Sequence, residues 1–312
     1  MQKFGFVFPG QGSQQLGMLS ELASYSHIVQ KTFDEASDIL DQDLWTICQY
    51  DNENILGQTQ ITQPILLASS VAIWRVWAEL SALKPSILAG HSLGEYSALV
   101  CAGSMNYEDA INLVHKRGEF MQSASPQGKG KMAAIVGLES SQIDNICDEI
   151  KETGIVSAAN LNSPVQIVIA GEAKSVDKAI ELCKSNGAKR ALPLNVSVPS
   201  HCALMKPASE KLKEELEGIE IKKPNIDVVQ NVNGEICNDP RQIKSNLVRQ
   251  MYEPVRWVDC VQLIYKAGIK NLVECGPGKV LSGLIRRIES DIQCSGSDSL
   301  ENIKNAISKM AD

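Results

Sequence analysis

No two of the nine cysteines fall within four positions of each other. A CxxC pair is therefore missing, and with it the paired zinc knuckle and the thioredoxin-type redox motif. No apolar run is long enough to span a bilayer as a helix, which needs about 18 residues. The N-terminal stretch MQKFGFVFPGQG meets Pro9 and Gly10 too early to hold the apolar core of a signal peptide. Basic residues are outnumbered: 30 Lys and Arg against 37 Asp and Glu give a net charge of −7, which argues against broad nucleic-acid binding but leaves room for a local basic patch. Histidine is scarce, four in 312 residues, so a catalytic base has few candidates.

The remainder is ordinary globular material. At 44% hydrophobic and 21% charged, the chain has enough apolar side chains for a sizeable core and is not a disordered polymer. Scattered cysteines then read as small buried hydrophobes in a reducing compartment, and a cytoplasmic protein is expected.

Short apolar runs alternate with longer amphipathic ones. Phe4–Phe8 predicts a strand, residues 18–40 a helix, and Pro64 the first residue of an apolar helix ending near Leu80. Ser86–Ala89 predicts a strand, Glu95–Ala102 a helix stopped by Gly103, and Tyr107–Gln122 another helix. Such alternation implies a parallel sheet covered on both faces. After the Gly128–Gly130 hinge the rhythm changes to strand, helix, strand, strand, helix, strand, with a turn at Asn162–Pro164. That is the βαββαβ order of a ferredoxin-like unit. The chain is therefore expected to be α/β: a large domain from residues 1–128 and 198–312, with a small ferredoxin-like domain, 129–197, inserted in it. Further helices and strands alternate to the C-terminus.

Gly90-His91-Ser92-Leu93-Gly94 matches G-x-S-x-G. The pattern alone turns up by chance in roughly one chain in ten of this length. A predicted strand before it and a helix after it make it a nucleophile elbow, in which a tight turn lifts the serine hydroxyl clear of the backbone. Otherwise Ser92 is a helix cap on a glycine turn. A serine nucleophile needs a base. His91 adjoins Ser92 and would point elsewhere, His27 lies on a surface helix, and His115 lies in mid-helix as a packing residue. His201 follows the loop Val198-Pro199-Ser200 and precedes a helix, which makes it a candidate by position and no more. The loop Pro9-Gly10-Gln11-Gly12-Ser13-Gln14 exposes backbone N–H groups, but Gln15 breaks the dinucleotide fingerprint, and Val273 and Val280 break a P-loop around Gly278-Lys279. No nucleotide cofactor is expected, and an oxyanion hole is the use left for that loop. Arg117 is either a surface cation or a bidentate clamp for a carboxylate.

Five segments together resemble the malonyl-CoA:acyl carrier protein transacylases: FPGQGSQ, GHSLGEYSAL, NSPVQIVIAG, VPSHCALM and ECGPGKVL. They occur in that family's order and span nearly the whole chain. The resemblance implies an α/β-hydrolase-like large domain and transfer of a malonyl group from malonyl-CoA to the phosphopantetheine thiol of an acyl carrier protein, through a malonyl-serine intermediate. It implies Ser92 as nucleophile, His201 as base, and the backbone N–H groups of Gln11 and Leu93 as oxyanion hole. Arg117 would hold the free carboxylate. Gln250 would orient His201, through its side chain or a nearby backbone carbonyl. No metal or other cofactor is implied. An acidic carrier would need a basic patch on this acidic chain, and Lys189-Arg190 and Arg286-Arg287 are the obvious pairs, with Lys129 and Lys131 behind them.

A serine esterase or thioesterase would share the elbow and base but have no use for Arg117. Relatives acting on other acyl groups usually sit in long multidomain chains, whereas this one starts at Met1 and ends soon after its last helix, so a free-standing enzyme is expected. A non-catalytic carrier-binding scaffold would not need Ser92, His201 and Arg117 together. A monomer is expected.

Overall fold

The structure, a computed structural model, describes residues 3–126, 128–196 and 198–311. The expected domain limits at Met1, Ser197 and Asp312 lie outside them. The chain opens with β1 (Phe4–Phe8), then α1 (Ser20–Tyr25), α2 (His27–Leu40), α3 (Leu44–Tyr50) and α4 (Thr59–Leu80). Next come β2 (Ile87–Gly90), α5 (Leu93–Cys101) and α6 (Tyr107–Ala124). A second group follows: β3 (Gly130–Val136), α7 (Ser140–Ile150), β4 (Val156–Ser163), β5 (Gln166–Glu172), α8 (Ala173–Ser185) and β6 (Arg190–Pro193). The chain returns through α9 (Lys206–Glu217), β7 (Asp227–Val229), α10 (Pro240–Gln250), α11 (Trp257–Lys266), β8 (Asn271–Glu274), α12 (Val280–Ile288), β9 (Gln293–Gly296) and α13 (Leu300–Ala311).

β1 is apolar throughout and buried throughout, as a strand covered on both faces must be. It is the centre of a five-stranded parallel sheet of order β7-β2-β1-β8-β9. Phe8 is in register with Gly90, and Val7 with Glu274. The loops leaving β1, β2 and β8 therefore emerge side by side at the C-terminal edge, where open parallel sheets place their sites.

β3 to β6 form a separate antiparallel sheet of order β4-β5-β3-β6. Alternate residues of β3 face opposite ways. Ala133 and Ile135 join Ile143, Ile169, Val176 and Ile180 in a core beneath α7 and α8. Met132 faces the other way and packs with Cys202, next to His201. β4 is tied to the segment between α10 and α11, where Leu161 N–H donates to the Val255 carbonyl and Val255 N–H to that of Ala159, each at 2.9 Å.

Three local expectations are corrected. The helix expected over 18–40 is two, broken at Ser26, whose Oγ accepts from Ile28 N–H and caps α2. α3 was not anticipated. Pro64 does not open its helix but lies inside α4, which starts at Thr59. Proline has no N–H to donate to the Gln60 carbonyl one turn back. His115 Nδ1 on α6 supplies the missing donor at 3.0 Å. The turn between β4 and β5 also comes later than expected, because β4 runs on to Ser163 and takes in Asn162. All nine cysteines are free; seven are buried and two half-buried. No helix among the described residues is long and apolar enough to cross a membrane.

Candidate active site

The turn from β2 into α5 is crowded enough to dictate its glycines. A Cβ on Gly90 would lie 1.9 Å from the Gly94 carbonyl, and one on Gly94 2.0 Å from the Phe8 oxygen. Between them Ser92 takes φ 52° and ψ −110°, a strained conformation that projects its hydroxyl outward. Both its peptide groups are pinned by side chains. Ser92 N–H donates to Asn231 Oδ1 at 2.7 Å, and its carbonyl accepts from Gln250 Nε2 at 3.0 Å. Asn231 Nδ2 also donates to the Gly90 carbonyl at 2.6 Å.

His201 Nε2 lies 2.8 Å from Ser92 Oγ. Its Nδ1 lies 2.6 Å from the backbone carbonyl oxygen of Gln250, which can only accept. The proton is thus on Nδ1, and Nε2 presents a lone pair to the serine hydroxyl. Burial, and next the Arg117 charge, push the His201 pKa down to about 3, so the ring is neutral at neutral pH. Of the two ways that Gln250 might orient His201, the contact is made by its backbone carbonyl. Its side chain points elsewhere: Oε1 accepts from Arg117 Nη2 at 3.0 Å, and Nε2 donates to Glu95 Oε2 at 2.8 Å.

Arg117 is not a surface residue; it is 2% exposed. Nη1 donates to Gln63 Oε1 at 2.6 Å, Nη2 lies 3.3 Å from Ser92 Oγ, and the guanidinium sits over the Tyr96 ring. Its Nε has no hydrogen-bond partner among the described residues. Gln11 is exposed on the loop after β1, its side-chain amide 3.3 Å from Thr59 Oγ1. That loop presses on the elbow: a Cβ on Gly10 would lie 2.5 Å from the His91 carbonyl oxygen and 3.7 Å from Leu93 N. Leu93 N–H is in the first turn of α5, where a helix leaves its amides without an internal acceptor.

The candidate cations divide. Lys189, Arg190 and Arg287 line one groove of ≈ 620 Å³ with Val165 and Leu192, and Arg287 also donates to Gln166 Oε1. Arg286 is exposed but does not line it, and Lys131 is taken up by Asp177 at 2.6 Å. His91 turns away from Ser92, as expected; its Nε2 meets Asn162 Oδ1 at 2.8 Å and its ring packs on Trp257. Glu274, in the ECGPGKVL segment, is structural: its carboxylate accepts from Leu281 N–H, Ser282 N–H and Ser282 Oγ, and so caps α12. Gln63, Glu95 and Asn231 were missed from the sequence. Glu95 alone gave a signal, as an acidic residue one turn past the serine on an otherwise apolar helix.

A family model described as an acyl transferase domain matches residues 5–297. A malonyl CoA-acyl carrier protein transacylase of Haemophilus influenzae is 54% identical over 94% of both chains. The chain belongs to the malonyl CoA-acyl carrier protein transacylase family. It is an acyltransferase. The solved transacylase of Coxiella burnetii superposes with a TM-score of 0.98 at 46% identity, covering 100% of this chain and 98% of that one. A second relative, a malonyl-transacylase solved in complex with a holo type II PKS acyl-carrier protein, is 51% identical with a TM-score of 0.97, covering 99% of this chain and 100% of its own. Both superpositions take in the parallel and the antiparallel sheet.

Proposed function

We propose that this acyltransferase moves a malonyl group from malonyl-CoA to the phosphopantetheine thiol of an acyl carrier protein, through a covalent malonyl-Ser92. The observation that carries the reading is the set Ser92 Oγ, His201 Nε2 and Arg117 Nη2, all within 3.3 Å of that oxygen. As Ser92 Oγ attacks the thioester carbonyl, its proton passes to His201 Nε2. The tetrahedral oxyanion is held by the N–H groups of Gln11 and Leu93. The C–S bond breaks, His201 returns the proton to the departing sulfur, and CoA leaves as the thiol. The carrier's thiol then gives its proton to His201, its sulfur attacks the ester carbonyl, and Ser92 Oγ departs and regains the proton. A thioester is activated already, so a backbone carbonyl suffices behind the histidine where a triad has a carboxylate. Arg117 pairs with the free carboxylate of the malonyl group and keeps it away from Ser92 Oγ.

The large sheet with its elbow reads as an α/β-hydrolase-like catalytic domain, 1–128 and 198–312, and the antiparallel sheet as a ferredoxin-like insert, 129–197. The groove bearing Lys189, Arg190 and Arg287 is the docking surface for the carrier. Intact mass spectrometry tests the reading. The protein incubated with malonyl-CoA should gain one malonyl group, absent in Ser92→Ala, and lose it to added holo-carrier. Rapid loss of malonate to water without carrier would make the protein a hydrolase instead.

A further inference from the structure

Ser92, His201 and Arg117 do not hold themselves in place. Asn231 and Gln250 pin Ser92 from its two sides, and Gln250 also carries the carbonyl behind His201 and the amide oxygen on Arg117. Both converge on one further side chain. Glu95 Oε2 accepts from Asn231 N–H at 3.1 Å and from Gln250 Nε2 at 2.8 Å. Glu95 is 1% exposed, and its Oε1 has no hydrogen-bond partner among the described residues. The Gln250 amide thus lies between a cation and a carboxylate, with its oxygen toward Arg117 and its nitrogen toward Glu95. Those two contacts fix which way the amide faces.

Resting on the transfer reading above, we infer that Glu95 is a positioning residue of the reaction: its carboxylate holds the Asn231 and Gln250 arms that set Ser92, His201 and Arg117, and its charge balances the buried guanidinium. A second effect follows from that balance. His201 must become a cation during transfer, and the Arg117 charge opposes this. A carboxylate one amide away from Arg117 offsets the opposition.

Other titratable groups around Glu95 are Arg117 on α6, Tyr96 beside it on α5, His201 beyond Ser92, and the Cys260 thiol on α11. Burial pushes the Glu95 carboxyl up to about 7, against the lowering pull of the Gln250 and Asn231 hydrogen bonds and of Arg117. The sign follows. Below that pH the carboxyl is neutral, its two hydrogen bonds lose their charge assistance, and Arg117 is unbalanced. Acylation should therefore rise with pH through about 7. His201 is neutral over that whole range, so the limb belongs to Glu95.

The test is the rate of malonyl-Ser92 formation, read by quenched-flow intact mass from about pH 5 to about pH 9, in wild type, Glu95→Gln and Glu95→Asp. Glu95→Gln should lower the acylation rate constant roughly 10–100-fold, leave the KM for malonyl-CoA within about 2-fold, and lose the neutral limb. Glu95→Asp, which keeps the charge on a shorter arm, should be slower than wild type and keep the limb. Glu95→Gln with wild-type rate, or with the limb intact, would overturn the inference. If neither variant folds, the wild-type limb read at two temperatures decides: a midpoint that barely moves, as a carboxyl's does, supports it, and one that shifts as an imidazole's does, or a flat profile, overturns it. A wild type that forms no Ser92 adduct at any pH would overturn the transfer reading itself.

Discussion

Arg117 is the residue whose chemistry is most specific. A buried guanidinium that meets a malonyl carboxylate gains a charged partner, and an acetyl group offers none. Breaking one side of such a pair costs about 2–5 kcal/mol. Arg117→Ala should therefore lower malonyl transfer by roughly 30-fold or more, while acetyl transfer falls less or rises. Equal losses with both donors, in parallel steady-state assays, would remove the clamp. His201 makes a prediction about stability. Its folded pKa, about 3, lies below the ordinary 6.5, so between those values the unfolded chain binds a proton that the native ring does not. Its contribution is present above 6.5 and is lost as the pH falls toward 3. In urea titrations at stepped pH, His201→Gln should lose less stability than wild type on acidification; parallel curves would show that the ring is not held neutral. At this scale the sequence was informative where a motif names a residue and weak where an atom matters. Ser92 stood out by its motif, and His201 and Arg117 only through the family resemblance, yet which atom of Gln250 meets His201 was not legible, because every residue has a carbonyl. Glu95 and Asn231 were invisible as a pair, since 136 positions separate them and only folding brings them together.

Among the elements, α4 and α6 show how a local rule yields to packing. Pro64 promised a helix start, and the helix nevertheless begins a turn earlier because His115 accepts the task of satisfying Gln60. His115→Ala should destabilise the fold by about 1 kcal/mol, the worth of one hydrogen bond, and fray the first turn of α4. Hydrogen exchange at the α4 N-terminus, with urea unfolding, reads both. No change in either would mean that water serves the carbonyl equally well. The split between α1 and α2 has the same origin: the apolar spacing over 18–40 is helical throughout, and the cap at Ser26 interrupts it without disturbing the period. The βαββαβ order was legible because each segment has a clear period and each turn has its own breaker.

For the whole molecule, strand order was the hidden quantity. Alternation announces a parallel sheet, but β7-β2-β1-β8-β9 depends on contacts between segments far apart in sequence. That order is what brings the first loop against the elbow. Charge acts at this scale too. With a net −7, the protein would repel an acidic carrier on average, so the proposed docking would depend on the local cations. Arg287→Glu should raise the KM for carrier protein several-fold, more at low salt, and leave the KM for malonyl-CoA unchanged. Arg286→Glu, outside the groove, should do less. Equal effects of the two reversals would mean that total charge, rather than the groove, guides the carrier.

The seven buried cysteines have a practical consequence. Burial lifts the thiols of Cys48 and Cys147 to about 12 and that of Cys202 to about 11, so the reactive thiolate is scarce in the native state. They sit in the core of the large unit, in the core beneath α7 and α8, and against the face of the small sheet that meets His201. A disulfide reagent added to the resting protein therefore reacts with these sulfurs only as fast as the surrounding structure opens. The chain carries a clock in each of its cores, and mapping which cysteine is modified first would rank those cores by how often they breathe.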